Sequence, residues 1–246
     1  MWYRLCVAIV CFAATLVTED TTPAVPVSAY APREDIDHQI EYFTKRIENN
    51  LKNKNEYDSD RQQQVEQDAS TLAVLCLMLV HHDQPGKLYR DSAALLKASQ
   101  HLSETAGTYD EARAALATFR AIPNVPHDDV HVLAEPVAEL SVLMKQVPIV
   151  NNVLRRGVSG RRFKRSMEKN AGLATTLAAL AQASARDTLY CENTEEELLW
   201  CQMCEELRDS AAQVNAAVRA LDQAAAKHAM QRIVVSCDRC HHQFRD

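Results

Sequence analysis

The chain has 246 residues, which is enough for one large domain or two small ones. Runs of alanine and leucine, few aromatic residues and only 5 glycines are typical of a helical protein. The formal net charge of −6 argues against a general nucleic-acid-binding protein, because such a protein needs a basic surface.

The first residues predict export. Arg4 precedes an uncharged apolar run, Leu5 to Val17, which is too short to span a bilayer and suits a secretory signal peptide. Ala29-Tyr30-Ala31 is the nearest cleavage signal, and the segment before it is rich in Thr, Pro and Ala. We therefore expect a signal peptide and linker over residues 1–32 and a periplasmic or otherwise exported protein. An uncleaved signal anchor is the alternative, and no later segment is apolar enough to span a membrane.

Apolar residues recur at steps of three and four through the first half of the chain, which is the pattern of amphipathic helices. The first helix is marked by Ile36, Ile40, Phe43 and Ile47 and ends near Leu51. The next three helices are predicted at residues 61–81, 88–102 and 110–121.

Residues 122–131 (IPNVPHDDVH) contain two prolines and no apolar period, so they are the best candidate for a linker. The linker would separate a helical domain at residues 33–121 from a second domain at residues 132–246.

The second half repeats the plan of the first. Its first helix, from Leu133 to Leu154, is predicted to bend at Pro148 and to end at the GVSG sequence of residues 157–160. The next helix covers residues 161–186. The last two helices begin at a capping box of Thr194 with Glu197 and near Asp222.

An internal repeat supports the same organisation. The pentapeptide RDSAA occurs at residues 90–94 and again at 208–212. Chance could produce it in an alanine-rich chain, but the shared order of helices favours a duplication, with a longer loop at 187–203 in the second copy. We therefore predict an all-α fold of two tandem four-helix up-down bundles.

The last helix carries CDRCHHQF at residues 237–244. Cys-x-x-Cys-His is the sequence that attaches a c-type haem, because two thiols join its vinyl groups and the imidazole binds its iron. Three residues advance a helix by about 300°, so Cys237 and Cys240 lie one turn apart. His241 follows Cys237 by four residues on the apolar stripe of Met230 and Ile233. We expect His241 to face the bundle interior.

Two alternatives use the same cysteines. A zinc site would need Cys201 and Cys204 to complete a set of four with Cys237 and Cys240. A redox disulfide between Cys237 and Cys240 would need a βαβ context, which a helical chain does not provide.

Other cysteines and a basic run leave further alternatives open. Cys191 could form a disulfide with Cys201 or Cys204, as export permits, or these thiols could be free. Cys76, in an apolar run, is predicted to be a core residue. The sequence RRGVSGRRFKR at residues 155–165 could attract an acidic redox partner, or it could be an ordinary solvated turn.

The ending of the chain resembles that of cytochrome c prime, the class II c-type cytochromes, in which CxxCHxxFR closes a four-helix bundle. This chain matches that sequence at Cys237, Cys240, His241, Phe244 and Arg245. The sequence Leu-Met-Lys-Gln at residues 143–146 resembles the family's Met-Lys pair, which faces the haem from the first helix.

The resemblance covers residues 131–246 and implies one covalently bound haem c. It makes His241 the proximal iron ligand and places Arg245 close by. This chain departs from the family at Leu140, where an arginine is usual, and at Pro148, which interrupts the first helix. Its additional N-terminal half looks like a haemless relative of the same bundle.

The family contains two functional types, which differ on the distal side of the haem. Met144 as a sixth iron ligand would give a low-spin electron carrier, because imidazole with thioether raises the haem potential. Met144 as a core residue would leave a five-coordinate iron open to NO or CO. We favour electron transfer. Gas binding and a haemless helical interaction protein with a disulfide or metal-bound tail are the alternatives.

The partners are less defined by the sequence. We expect an unidentified redox partner protein and no nucleic acid, and the resemblance implies a possible homodimer. No phosphate-binding loop and no nucleophile with its base is evident in the sequence, so we expect no enzymatic activity.

Overall fold

The computed structural model describes residues 25–124 and 136–245. All regular structure in these two ranges is helical, which confirms the predicted all-α fold. The described α-helices are α1 (Arg33–Asn50), α2 (Ser59–Val80), α3 (Ser92–Glu104), α4 (Tyr109–Ala121), α5 (Leu140–Ser159), α6 (Met167–Ser184), α7 (Thr194–Arg219) and α8 (Gln223–Phe244).

Polar side chains fix where the helices begin. The carboxylate of Asp222 accepts a hydrogen bond from the backbone N–H of Ala225 (2.9 Å), so α8 begins where the sequence predicts. At α7 the capping residue is Asn193, whose side chain accepts from the Glu196 N–H (3.0 Å), and the predicted Thr194–Glu197 box is wrong by one residue. Asparagine caps helices better than threonine, which explains the shift.

Helix α5 ends within the GVSG sequence, as predicted. The helix continues through Pro148 and Gly157 to Ser159 and ends at Gly160. Gly157 lies against α6, because a Cβ atom built on it would collide with the side chain of Asn170. This glycine therefore serves a close helix contact instead of a helix end.

Each half forms a four-helix up-down bundle in which consecutive helices are neighbours. In the first half the Tyr109 hydroxyl donates to the Leu51 carbonyl oxygen (3.0 Å), and Arg120 of α4 pairs with Glu48 of α1. In the second half α8 returns to pack against α5. Four antiparallel helices thus enclose a space in the second half.

The two bundles share one hydrophobic core. Helix α1 packs against α6, and α2 packs against both α5 and α6. Gly172 allows the close approach of α1 and α6, since a Cβ atom there would overlap the Gln39 side chain. The predicted linker lies mostly outside the described residues, apart from a short 3-10 turn at Ile122–Asn124. Within the described ranges the two halves are packed together as one body.

Part of the predicted leader is folded. Residues Val27–Ala29 form a 3-10 turn, and Val27, Tyr30 and Ala31 are buried in the shared core. The Tyr30 hydroxyl contacts the Met78 sulfur at 3.6 Å. Cleavage at the predicted signal after Ala31 would remove these residues from the core. The apolar run of the predicted signal peptide lies outside the described residues.

A buried polar contact joins α1, α2 and α5. Asp68 of α2 is fully buried, with Arg46 Nε 3.1 Å from one carboxylate oxygen and Gln146 Nε2 donating to the other at 3.2 Å. Burial raises the pKa of Asp68 to about 7, although Arg46 and Gln146 act to lower it. Gln146 follows Met144 by two residues, so this contact helps to fix α5 beside the second-half cavity. No helix of the described chain is long and apolar enough to cross a bilayer.

Candidate cofactor cavity

A cavity of about 660 Å³ lies among α5, α6, α7 and α8. Its volume falls within the roughly 300–1,000 Å³ of small-molecule and cofactor sites. Most of its wall is apolar, with large side chains from Leu140, Val147, Trp200, Met203, Leu207 and Phe244. Such a wall excludes water from a bound group and leaves the few polar groups to orient it.

The residues predicted to hold a cofactor all line this cavity: Met144 from α5, and Cys237, Cys240, His241 and Arg245 from the end of α8. Met144 and the two cysteines are half-buried, while His241 and Arg245 are exposed. Met144 is far from the other four in sequence, so only the folded bundle brings it to them.

His241 does not lie in the bundle interior as the stripe predicted. Along that stripe Met230 and Ile233 are buried, Cys237 is half-buried, and His241 is exposed at the mouth of the cavity. The stripe passes from the packed core to the open cavity near the end of α8. A histidine there can reach a group bound in the cavity but is not covered by a neighbouring helix.

An aromatic pair closes one wall of the cavity. The rings of Trp200 and Phe244 meet edge to face, with centroids 5.2 Å apart. Trp200 Nε1 donates to the Ser184 carbonyl oxygen (2.9 Å), which fixes the indole between α6 and α7. The end of α8 is therefore held against α7 through a rigid contact. Nothing in the sequence indicates that Trp200 pairs with Phe244.

The thiols near the cavity are unpaired in the structure, as are the other cysteines of the described chain. Cys204 and Cys240 belong to one apolar cluster with Trp200. Burial, with a smaller effect of Cys237, raises the pKa of Cys240 to about 11, so it is a thiol at neutral pH. Burial likewise raises the pKa of Cys204 and of Cys237.

No three Cys, His, Asp or Glu side chains within residues 25–124 and 136–245 are grouped so that they could hold a metal ion. The four-cysteine zinc alternative therefore gains no support from the geometry. A disulfide from Cys191 stays a prediction.

The predicted long loop at 187–203 is only partly a loop. Helix α7 begins at Thr194, and its first turns carry Trp200 and Met203 into the cavity wall. In the first half, α3 begins at Ser92, inside the RDSAA sequence, whereas the second RDSAA lies in the middle of α7. Helix α7 thus has several turns before RDSAA that α3 lacks, and these turns form part of the cavity wall in the second half.

The chain matches no protein-family model, no curated protein and no solved structure. A function must therefore be argued from the cavity and the chemistry of its lining.

Proposed function

We propose that the chain is an exported monohaem c-type cytochrome that transfers electrons. The observation that carries the proposal is the meeting of Met144, Cys237, Cys240, His241 and Arg245 around one largely apolar cavity. Met144 comes from a different helix, α5, and is far from the other four in sequence, so their convergence does not follow from the CxxCH sequence.

The donor set fits a covalently bound haem. Cys237 and Cys240 would form the thioether bonds, His241 would bind the iron from α8, and Met144 on α5 would be available as a further iron ligand. The haem would supply an iron that cycles between its ferrous and ferric states.

The other lining residues have separate roles in this proposal. The apolar wall with Trp200 and Phe244 keeps water away from the bound group, which favours a stable potential. Lys145 and Arg245 are exposed at the open side, where they place positive charge beside acidic groups of a ligand. The exposed position of His241 leaves one edge of the site within reach of a partner protein.

The full chain produced with the machinery that attaches c-type haem tests the proposal. We expect a Soret band and a mass increased by one haem, both retained after denaturation because the attachment is covalent. Changing Cys237→Ser together with Cys240→Ser should abolish both signals. Cys201→Ser is the matched control, since Cys201 is also half-buried but does not line the cavity. A wild-type chain that carries no covalent haem would contradict the proposal.

The Met144→Ala variant decides between electron transfer and gas binding. The wild type is expected to be low-spin and slow to bind CO, because the thioether occupies the sixth position. Met144→Ala should become five-coordinate, bind CO readily and have a lower haem potential. Met203→Ala is the control, because Met203 lines the same cavity from α7. If the wild type already binds CO and the Met144→Ala spectrum is unchanged, gas binding replaces electron transfer.

A further inference from the structure

The cavity opens beside an exposed apolar surface. Leu189 and Tyr190 expose 86% and 63% of their surface, and Leu198, in the first turns of α7, exposes 67%. Tyr190 also lines the cavity. These three side chains are named the mouth patch. Large apolar side chains exposed together beside a pocket are typical of an interaction site.

The loop that carries Leu189 and Tyr190 is fastened to the helix that carries Leu198. Cys191 of the loop packs into the same apolar cluster as Cys204. Cys201, one turn after Leu198, has its thiol 3.4 Å from the Ala185 carbonyl oxygen. The loop residues and Leu198 therefore keep their positions relative to each other.

Acidic residues flank the mouth patch in the sequence. Residues 187–207 contain no Lys, Arg or His and have seven carboxylates: Asp187, Glu192, Glu195, Glu196, Glu197, Glu205 and Glu206. Burial and then nearby carboxylates, Glu197 among them, raise the pKa of both Cys191 and Cys201. Glu197 is thus close to the patch, and the carboxylates of residues 192–197 place negative charge beside Leu198. Glu206 is paired with Arg239 (2.9 Å), and the positive charge of Lys145 and Arg245 lies on other parts of the cavity lining.

The opposite end of the same bundle is basic. Residues 155–165 hold six Lys and Arg side chains and no carboxylate. Gln223, at the start of α8, donates to the Val158 carbonyl oxygen (2.7 Å), whereas the cavity residues of α8 lie at its other end. Ser159 follows Met144 by 15 residues, which is about 22 Å along α5. The far end of the basic run is therefore remote from Met144 and from the cavity residues of α8, although Asn151, four residues before Arg155, also lines the cavity.

We propose that the mouth patch and its surrounding carboxylates form the docking surface for a basic electron-transfer protein. The inference rests on the proposed cytochrome function. The basic run at residues 155–165 suggested an acidic partner, whereas the mouth patch indicates a basic one. An apolar centre with a charged rim gives fast association and brief binding, which suits the exchange of electrons.

The test uses the haem-loaded full chain and mitochondrial cytochrome c as a basic redox probe, with binding followed by surface plasmon resonance. Glu197→Lys and Glu168→Lys make the same change of charge at exposed residues in the first turn of a helix. Glu168 lies at the basic end of the bundle. We expect Glu197→Lys to lower the association rate about fivefold at low salt and Glu168→Lys to lower it less than about 1.5-fold. Leu198→Ser should raise the dissociation rate about threefold.

Equal effects of the two lysine variants would overturn the docking surface, because only net charge would then matter. Absence of any binding at low salt would overturn it as well. A homodimer that Leu198→Ser dissociates would mean that a second copy covers the patch instead of a basic partner. A chain without haem that still binds the probe with the expected Glu197 dependence would keep the docking surface and refute the cytochrome function.

Discussion

His241→Gly is expected to leave the haem attached through Cys237 and Cys240 while removing the nitrogen ligand from its iron. The thioether bonds depend on the two thiols, whereas the proposed proximal bond depends on the imidazole, so the variant separates attachment from ligation. The mass of the denatured protein should still include one haem. The visible spectrum should change to that of an iron without a strong proximal ligand, and imidazole in the buffer should restore much of the wild-type spectrum.

His242→Gly is the control for this prediction. His242 is the next residue along the exposed end of α8 but does not line the cavity. Its replacement should leave both the mass and the spectrum unchanged. If His242→Gly alters the spectrum and His241→Gly does not, the proximal ligand has been assigned to the wrong histidine.

Most helices were predictable from the sequence because they bury an apolar stripe of period 3.6. Helices α2 and α6 are instead buried on all sides, from Gln67 to Leu79 and from Asn170 to Ala181. The start of α8 at Asp222 and the end of α4 at Ala121 agree with the prediction. The end of α5 within GVSG also agrees with the prediction. Which of its two glycines ends the helix was not predictable, because Gly157 can break a helix or allow a close helix contact. Only its contact with Asn170 of α6 decides between the two.

The candidate site was predictable only in part. Local spacing indicated Cys237, Cys240 and His241 because they lie within five residues, and the resemblance supplied Met144. The exposure of His241 was not predictable, since an apolar stripe does not reveal whether the space it faces is packed or open. The wall formed by Trp200 with Phe244 requires knowledge of how α7 and α8 are aligned, which depends on the whole bundle.

The packing between halves was also hidden in the sequence. The apolar stripe of α1, which includes Ile36 and Phe43, would look the same in an isolated bundle and in a bundle that shares its core with another. The stripe therefore does not reveal the contact between the halves. Asp35 reads as an ordinary polar residue in the first turn of a helix. In the structure it is completely buried, because the second half covers it.

Asp35→Ala is expected to be among the most destabilising single substitutions in the chain. The Asp35 carboxylate of α1 pairs with Arg219 and accepts a hydrogen bond from Asn215 Nδ2 (2.7 Å), both on α7. The Thr175 hydroxyl of α6 lies 3.5 Å from the same carboxylate. Removing the carboxylate would leave the Arg219 guanidinium, which is 33% exposed, without its buried partner, whereas Asn215 Nδ2 would keep the Ala171 carbonyl oxygen and the Thr175 hydroxyl as acceptors. We expect a cost of about 3 kcal/mol in the free energy of unfolding, the low end of the range for breaking a buried pair.

Urea unfolding of the full chain, followed by far-UV circular dichroism, measures this effect. Glu41→Ala is the matched control, because Glu41 is a carboxylate on the same helix that pairs with Lys45 four residues later, with both side chains 64% exposed. An exposed pair of this kind contributes about 0.3–0.5 kcal/mol. A loss below about 1 kcal/mol in Asp35→Ala would contradict the prediction. The expected loss would instead mean that the first half holds the cavity-bearing bundle in place through a buried charge.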